Sequence, residues 1–191
     1  MKKVLIIGAG GSLAQYVIEA LKELNDVTLT LFARNKNSIA KQLADGCTIV
    51  EGNALNYAQV KAAIGGQDIV YVNLAGNLEP MVQNIVKAMQ ETGVRRIIAI
   101  SSIGIYDEPL RSVLIPYRRL ADTIEASGLV YTILRPDWFT NANEVNYTLT
   151  QKGEPETGTA ISRKSIAAFV AELVQHKEVH VNENLGISKP G

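Results

Sequence analysis

The residues with the clearest chemical potential stand near the N-terminus, where Gly8-Ala9-Gly10-Gly11-Ser12-Leu13-Ala14 reads as G-x-x-G-x-x-A at Gly8, Gly11 and Ala14. Glycine lets a main chain turn tightly and approach a ligand, while the free N–H groups and dipole of a following helix favour negative charge. Between a strand and a helix, such a turn suits a pyrophosphate, and the small Ala14 lets the helix lie close to the strand. The other reading is a tight strand-to-helix turn with no ligand. No G-x-x-x-x-G-K-[ST] loop occurs, so a triphosphate-hydrolysing site would lack its Lys and its Mg²⁺-binding hydroxyl. A dinucleotide fits better than a triphosphate.

A second candidate follows the next apolar run, which ends at Ala33-Arg34-Asn35-Lys36. In a dinucleotide site this position faces the adenosine ribose, where an acidic side chain accepts from a 2′-hydroxyl and a basic one pairs with a 2′-phosphate. Arg34 offers a planar fork of donors matched to phosphate, and Asn35 and Lys36 can add polar contacts. NADP(H) is therefore preferred, with NAD(H) as the alternative; the competing reading of Arg34 is a solvated surface Arg. Other chemistries find less support. His176 and His180 stand four apart near the C-terminal end without a carboxylate pattern for a metal or a triad, so no metal is expected and a solvated helix end is the simpler reading. Cys47 is the single cysteine and reads as a buried apolar residue at the start of a strand.

The elements that must position these groups alternate along the chain. Val4-Leu5-Ile6-Ile7 is a short apolar run bounded by glycine, which predicts a strand buried on both faces. Leu13, Val17, Leu21 and Leu24 then lie on one helical face. Further strands are expected at Val27 to Ala33, Cys47 to Val50, Ile69 to Val72, Arg96 to Ile100 and Val130 to Leu134. Helices are expected around Ser38 to Leu43, Tyr57 to Ile64, the Met81 to Met89 region before Gly93, and Pro116 to Ser127 before Gly128. Asp137 to Asn146 is polar and aromatic, and Val145 to Ile161, with Gly153, Pro155 and Gly158, predicts a loop and a hairpin-like excursion. Ser162 can cap a last helix carrying Ile166, Phe169, Val170, Leu173 and Val174 on one face, and Leu185 to Ile187 a short last strand. The expected fold is α/β, a Rossmann-type doubly wound, mostly parallel sheet of six or seven strands with helices on both faces. It would form one domain over residues 1–191, with a small substrate-side segment at about Asp137 to Ile161.

Composition narrows the partners. The 191 residues carry 19 Lys+Arg against 19 Asp+Glu, so the chain has no net charge with which to attract nucleic acid or an anionic membrane. The apolar run after Lys2-Lys3 is only Val4 to Ile7, too short for a signal peptide, and no run approaches the ~18 residues of a membrane span. A cytoplasmic protein acting on a small-molecule acceptor is expected, with no nucleic-acid or membrane partner; a homodimer or a regulatory protein partner stays open.

Several longer motifs carry a resemblance. They are Gly8-Ala9-Gly10-Gly11, Phe32-Ala33-Arg34-Asn35, Glu51-Gly52-Asn53-Ala54, Ile100-Ser101-Ser102-Ile103-Gly104-Ile105-Tyr106, and Ser127-Gly128-Leu129-Val130-Tyr131-Thr132-Ile133-Leu134-Arg135-Pro136. With these the chain resembles, nearly end to end, the atypical short-chain dehydrogenase/reductase family, particularly its compact NmrA-like NAD(P)H-binding branch. The resemblance implies that Asn53 and Ala54 flank the adenine, Asn53 standing where the family often has Asp, and that Leu74-Ala75-Gly76 passes beside the adenosine ribose. It also implies that Ser101 and Ser102 lie near the nicotinamide, and that Arg135-Pro136-Asp137-Trp138-Phe139 opens the substrate side, with Pro136 among the cofactor contacts. Asn53 as a turn residue and Trp138 and Phe139 as core packing are the alternatives.

Reductases of the wider family use a Tyr four residues before a Lys, the ammonium making the phenol acidic enough to protonate a carbonyl. The literal match here, Tyr57 with Lys61, falls on the helix after the third strand, on the wrong side of the expected site, and reads as coincidence. In the helix after the fifth strand Arg118 takes the usual Lys position and Leu114 the usual Tyr position, so the proton donor is missing. Tyr117 adjoins Arg118 but cannot share its helical face. Ser102 matches the serine that orients a carbonyl, and Arg118 could anchor the cofactor as a fixed cation. Ser102, Tyr117 and Arg118 are thus the candidate catalytic residues. Two functions remain: an NADPH-dependent reductase of a quinone, flavin or carbonyl acceptor, and a non-catalytic NADP(H)-binding sensor.

Overall fold

Val4, Leu5, Ile6 and Ile7 have no exposed surface, as a strand covered on both faces requires. They form β1 (Lys2–Ile7) in the computed structural model, which describes all 191 residues. The chain continues through α1 (Ser12–Lys22), β2 (Val27–Ala33), α2 (Lys41–Ala44), β3 (Thr48–Glu51), α3 (Tyr57–Ile64), β4 (Ile69–Val72), α4 (Leu78–Thr92), β5 (Arg96–Ile100), α5 (Ile115–Glu125) and β6 (Val130–Pro136). It ends with β7 (Phe139–Thr140), β8 (Thr148–Thr150), β9 (Ile161–Ser162), α6 (Arg163–Gln175) and β10 (Glu183–Ser188). The main sheet has the order β3-β2-β1-β4-β5-β6-β10-β8, parallel except where β8 pairs antiparallel with β10.

After β1 the chain builds outward through β2 and β3, then returns to the other side of β1 with β4. Such a reversal, here at the C-terminal ends of β1 and β4, marks where an open α/β sheet usually has its ligand crevice. Helices cover both faces. Leu13, Ala14, Val17, Ile18 and Leu21 of α1 pack beside Ile166, Phe169, Val170 and Leu173 of α6 on one face, while α3, α4 and α5 cover the other. Each such fully buried aliphatic side chain contributes roughly 1.5–3 kcal/mol relative to exposure, so the amphipathic spacing is what fixes the helices to the sheet.

Three sequence expectations need correction. The sheet has eight strands, because β10 joins β6 and β8 is added at its edge. No hairpin forms between Val145 and Ile161: β8 pairs with β10, and β9 pairs in parallel with β7. The polar segment finds its partners far along the chain, which local turn residues do not reveal. The helix expected around Ser38 to Leu43 divides into a single 3-10 turn at Lys36–Ser38 and the four-residue α2. Cys47 is half-buried just before β3, and burial pushes its thiol up. No helix is long and apolar enough to cross a membrane.

Candidate functional site

The turn after β1 is held by main-chain bonds. The N–H groups of Gly8 and Ala9 both donate to the Phe32 carbonyl at the end of β2 (3.0 and 3.1 Å), and that of Gly11 donates to the Gly8 carbonyl (3.0 Å). Gly8 has φ of +90°, and a Cβ there would meet the Asn73 carbonyl oxygen at 2.0 Å. At Gly10 a Cβ would meet the Ser38 hydroxyl at 2.2 Å. The chain leaves this turn directly into α1, whose N-cap Gly11 supplies no side-chain bond and whose first turn holds no acidic residue. The N–H groups of Ser12, Leu13 and Ala14 consequently have no acceptor within the chain. Such a helix start attracts an anion.

Next to it, at the ends of β2 and β3, lies a polar recess of ≈ 310 Å³ lined by Arg34, Glu51, Gly52, Asn53 and Gln59. Arg34 is exposed and makes no ion pair, whereas Glu51 accepts from the Lys36 N–H at 3.0 Å. Asn35 caps the 3-10 turn by accepting from the Asn37 N–H. Asn53 accepts from the Leu55 N–H while its own N–H donates to Gln59 Oε1, so it is a turn residue as well as a wall of the recess. Ala54 is buried beneath, its carbonyl accepting from Asn84 Nδ2 at 3.0 Å. Leu74 lies against Gly8, and Ala75 and Gly76 follow, exposed, before α4. The recess and glycine turn thus bring together the residues expected for the adenosine and pyrophosphate. Ser38, Gln59 and Asn73 join them without having been singled out, since only the fold carries them there.

The acceptor-side residues are more dispersed. Ser101 is buried at the end of β5, its hydroxyl donating to the Tyr117 carbonyl at 3.0 Å. The Ser102 hydroxyl donates to the carbonyl of Ile103 at 3.1 Å. Tyr117 falls on the core-facing stripe of α5 with Leu120, Ala121 and Ile124, and its ring packs half-buried against that core. Arg118 lies on a different stripe: it pairs with Asp122 at 3.0 Å, donates to the Ile105 carbonyl at 3.3 Å and stands 4.8 Å from the centre of the Tyr106 ring. Pro136 closes β6, buried, with its carbonyl accepting from the Ile103 N–H. Trp138 is 75% exposed and Phe139 36% exposed, so neither belongs to the core.

A buried polar cluster flanks this side. The guanidinium of the buried Arg135 donates to Glu156 Oε1 (2.9 Å) and to the carbonyl (2.7 Å) and Oδ1 (2.6 Å) of Asn184, while Glu156 also accepts from the Gly104 N–H. Asn184 in turn donates to the Tyr106 hydroxyl and to Glu125, which holds Lys152 at 2.7 Å. Burial and the Glu125 charge raise the Tyr106 phenol, against the lowering effect of Lys152 and Arg135, so this phenol is not tuned as an acid. The Tyr57–Lys61 pair does form a cluster, both side chains bonding to Glu91 in the last turn of α4. That is the end of α4 that leads into the start of β5, remote from the crevice. His176 remains largely exposed; His180, by contrast, is partly buried, bonded to Glu183 at 2.8 Å and edge-on to Phe169, so the expectation of a solvated helix end holds for one of the two.

Comparison with known proteins bears on this geometry. A family model described as NAD(P)H-binding matches residues 8–177. A Rossmann-fold NAD(P)-binding family protein from Shigella flexneri superposes with a TM-score of 0.92 at 45% identity, covering 100% of this chain and 95% of that one. A short-chain dehydrogenase/reductase from Veillonella parvula, solved in complex with NADP, superposes with a TM-score of 0.89 at 25% identity over 100% of this chain and 95% of its own. Quinone oxidoreductase 2 of Escherichia coli is 27% identical over 169 residues, 83% of this chain and 55% of that protein. The chain spans 48% of the length of the isoflavone reductase homologues it matches in Nicotiana, about half of those curated relatives.

Proposed function

The chain belongs to the NAD(P)H-binding family, and from that premise we propose that it is an NADPH-dependent reductase of a small acceptor, a quinone, flavin or carbonyl compound, working without a Tyr/Lys proton donor. The observation that carries the cofactor preference is Arg34, exposed and without a carboxylate partner at the rim of the recess beyond the glycine turn. A free guanidinium beside a polar cavity suits a 2′-phosphate. The residues fit the group on two further counts: three helix-start N–H groups without acceptors, and a first turn of α1 with no acidic side chain to compete.

In this reading Gly8 to Leu13 hold the pyrophosphate, Arg34 and Asn35 the 2′-phosphate, Asn53 and Ala54 the adenine, and Leu74 to Gly76 the ribose. Ser101, Ser102 and Pro136 line the nicotinamide side. Bound NADPH supplies a hydride, and the protein's part is orientation and electrostatics. Ser102 can turn its hydroxyl from the Ile103 carbonyl toward an acceptor oxygen, and a quinone or flavin can take its proton from water. Arg118 holds Tyr106 and α5 in place behind the acceptor. The likeness to a quinone oxidoreductase supports this class of acceptor.

The second reading, an NADP(H)-binding sensor, is favoured by one observation: Arg118 is already engaged with Asp122 and Ser102 with its neighbour's carbonyl. NADPH oxidation in the presence of quinone, flavin and aldehyde acceptors, beside direct titration with NADPH, NADP and NADH, separates the two. Turnover supports the reductase; tight binding with no turnover on any acceptor favours the sensor. Equal affinity for NADP and NAD would remove the 2′-phosphate assignment.

A further inference from the structure

Arg163, the first residue of α6, touches three places at once. Its Nε lies 3.3 Å from the hydroxyl of Ser12, the first residue of α1; its Nη1 donates to Asn141 Oδ1 at 2.8 Å; and its guanidinium stands 5.0 Å from the centre of the Phe139 ring. A hydroxyl, an amide and a ring are all neutral, and Arg163 forms no ion pair with a carboxylate. Lys164, next in α6, also ends on an amide, Asn143 Oδ1. The carboxylates that flank Asn141 in the sequence bond elsewhere: Glu144 to Lys189, and Asp137 to the Trp138 N–H.

This arrangement runs against helix electrostatics. The positive ends of α1 and α6 come side by side at Ser12 and Arg163, neither first turn has an acidic residue, and two cations are added where a helix N-terminus disfavours them. An anion at the start of α1 reverses the sign of that interaction, and a guanidinium fork suits phosphate oxygens. Resting on the cofactor reading above, we propose that Arg163 binds the pyrophosphate shared by NADP(H) and NAD(H) and links its occupancy to the acceptor-side segment from Trp138 to Asn143. The link is structural. Phe139 and Thr140 pair with Ile161 and Ser162 immediately before Arg163, and the Ile161 N–H donates to the Trp138 carbonyl at 2.8 Å. Any shift of the guanidinium toward phosphate therefore acts on Phe139 and Asn141 directly.

The chain's single tryptophan is Trp138, so its fluorescence reports on this segment without added labels. The full chain and its Arg163→Gln, Arg163→Lys and Arg34→Gln variants are titrated with NADP and NAD by calorimetry and by Trp138 emission. Arg163→Gln should weaken both nucleotides by the same factor, roughly tenfold for one charge-assisted contact. Arg163→Lys should fall between it and the parent, while Arg34→Gln should weaken NADP alone. Trp138 emission should change on saturating the parent with NADP, and that change should be lost in saturated Arg163→Gln. Without ligand, Arg163→Gln should melt no lower than the parent, since it removes a cation from two helix N-termini. Unchanged affinity in Arg163→Gln, a loss confined to NADP, or the same emission change in both proteins would overturn the proposal. A parent chain that binds neither nucleotide would overturn the cofactor reading as well.

Discussion

Gly8 sits against the main chain of Asn73 so closely that a methyl group cannot be placed between them: a Cβ on Gly8 would lie 2.0 Å from the Asn73 carbonyl oxygen. The contact joins the ends of β1 and β4, the two parallel strands at which the order of strand addition reverses. Gly8→Ala faces this clash together with a φ of +90°, and we expect a loss of more than about 3 kcal/mol, read as a lower denaturant midpoint or as failure to fold. Gly11→Ala should be milder, since its Cβ would meet the movable Asn73 side-chain nitrogen at 3.1 Å and come no nearer than 3.3 Å to the main chain, at the Gly8 carbonyl oxygen. Equal stability of Gly8→Ala and the parent would contradict the turn geometry.

Arg34→Gln tests the coenzyme preference. A guanidinium–phosphate bond contributes roughly 1.5–3 kcal/mol, so NADP affinity should fall by about one to two orders of magnitude while NAD affinity stays the same. Calorimetric titration with both nucleotides measures the ratio.

The Arg135–Glu156 pair secures the segment after β8 to the sheet, with side-chain exposures of 1% and 20%. Glu156→Gln removes the one carboxylate bonded to a buried guanidinium, a change that costs on the order of 3 kcal/mol at such sites. Urea unfolding should show this loss, and a midpoint within error of the parent would mean that the Asn184 contacts alone satisfy Arg135.

Tyr57 and Lys61 have the spacing of a catalytic pair, yet both bond to Glu91 and tie α3 to α4. Tyr57→Phe should leave nucleotide affinity and any turnover unchanged. Glu91 is held below the ordinary carboxylate range by its bonds to Lys61 and Tyr57. Its folded-state affinity for a proton is thus lower than in the unfolded chain, so its stabilisation is present above the usual carboxylate range and is lost as pH falls through the lowered value. Melting temperatures followed toward acid pH should fall less steeply for Glu91→Gln than for the parent.

At alkaline pH the tyrosines act in the opposite sense. Burial and the bond to Glu172 push the Tyr147 phenol from 10.0 to about 12, and burial raises Tyr71 further. Between these values the unfolded chain has lost the Tyr147 proton that the folded chain keeps, so stability should decline as pH rises from about 10 to 12. Tyr147→Phe should flatten that decline in alkaline denaturation curves.

Much of this architecture is legible in the residue pattern. Buried runs such as Val4 to Ile7 and Ile69 to Val72, and helical stripes such as Leu13, Val17 and Leu21, state their period locally, and the glycine turn stands where one becomes the other. Gly93 does take the left-handed conformation that ends α4, and Ser162 does cap α6 by accepting from the Ser165 N–H. Arg34 could be singled out because its place at the end of β2 is a consequence of that same alternation. The roles of other residues depend on partners that no local pattern names. Arg118 faces Asp122 and Tyr106, Tyr117 turns to the core, and Arg135 meets Glu156 and Asn184 from strands and loops tens of residues apart. Periodicity determines which face of an element is apolar, and therefore the order of strands and helices. Only the folded chain decides which charges meet, because Ser12 and Arg163 become neighbours when two helices 151 residues apart at their starts pack on the same face of one sheet.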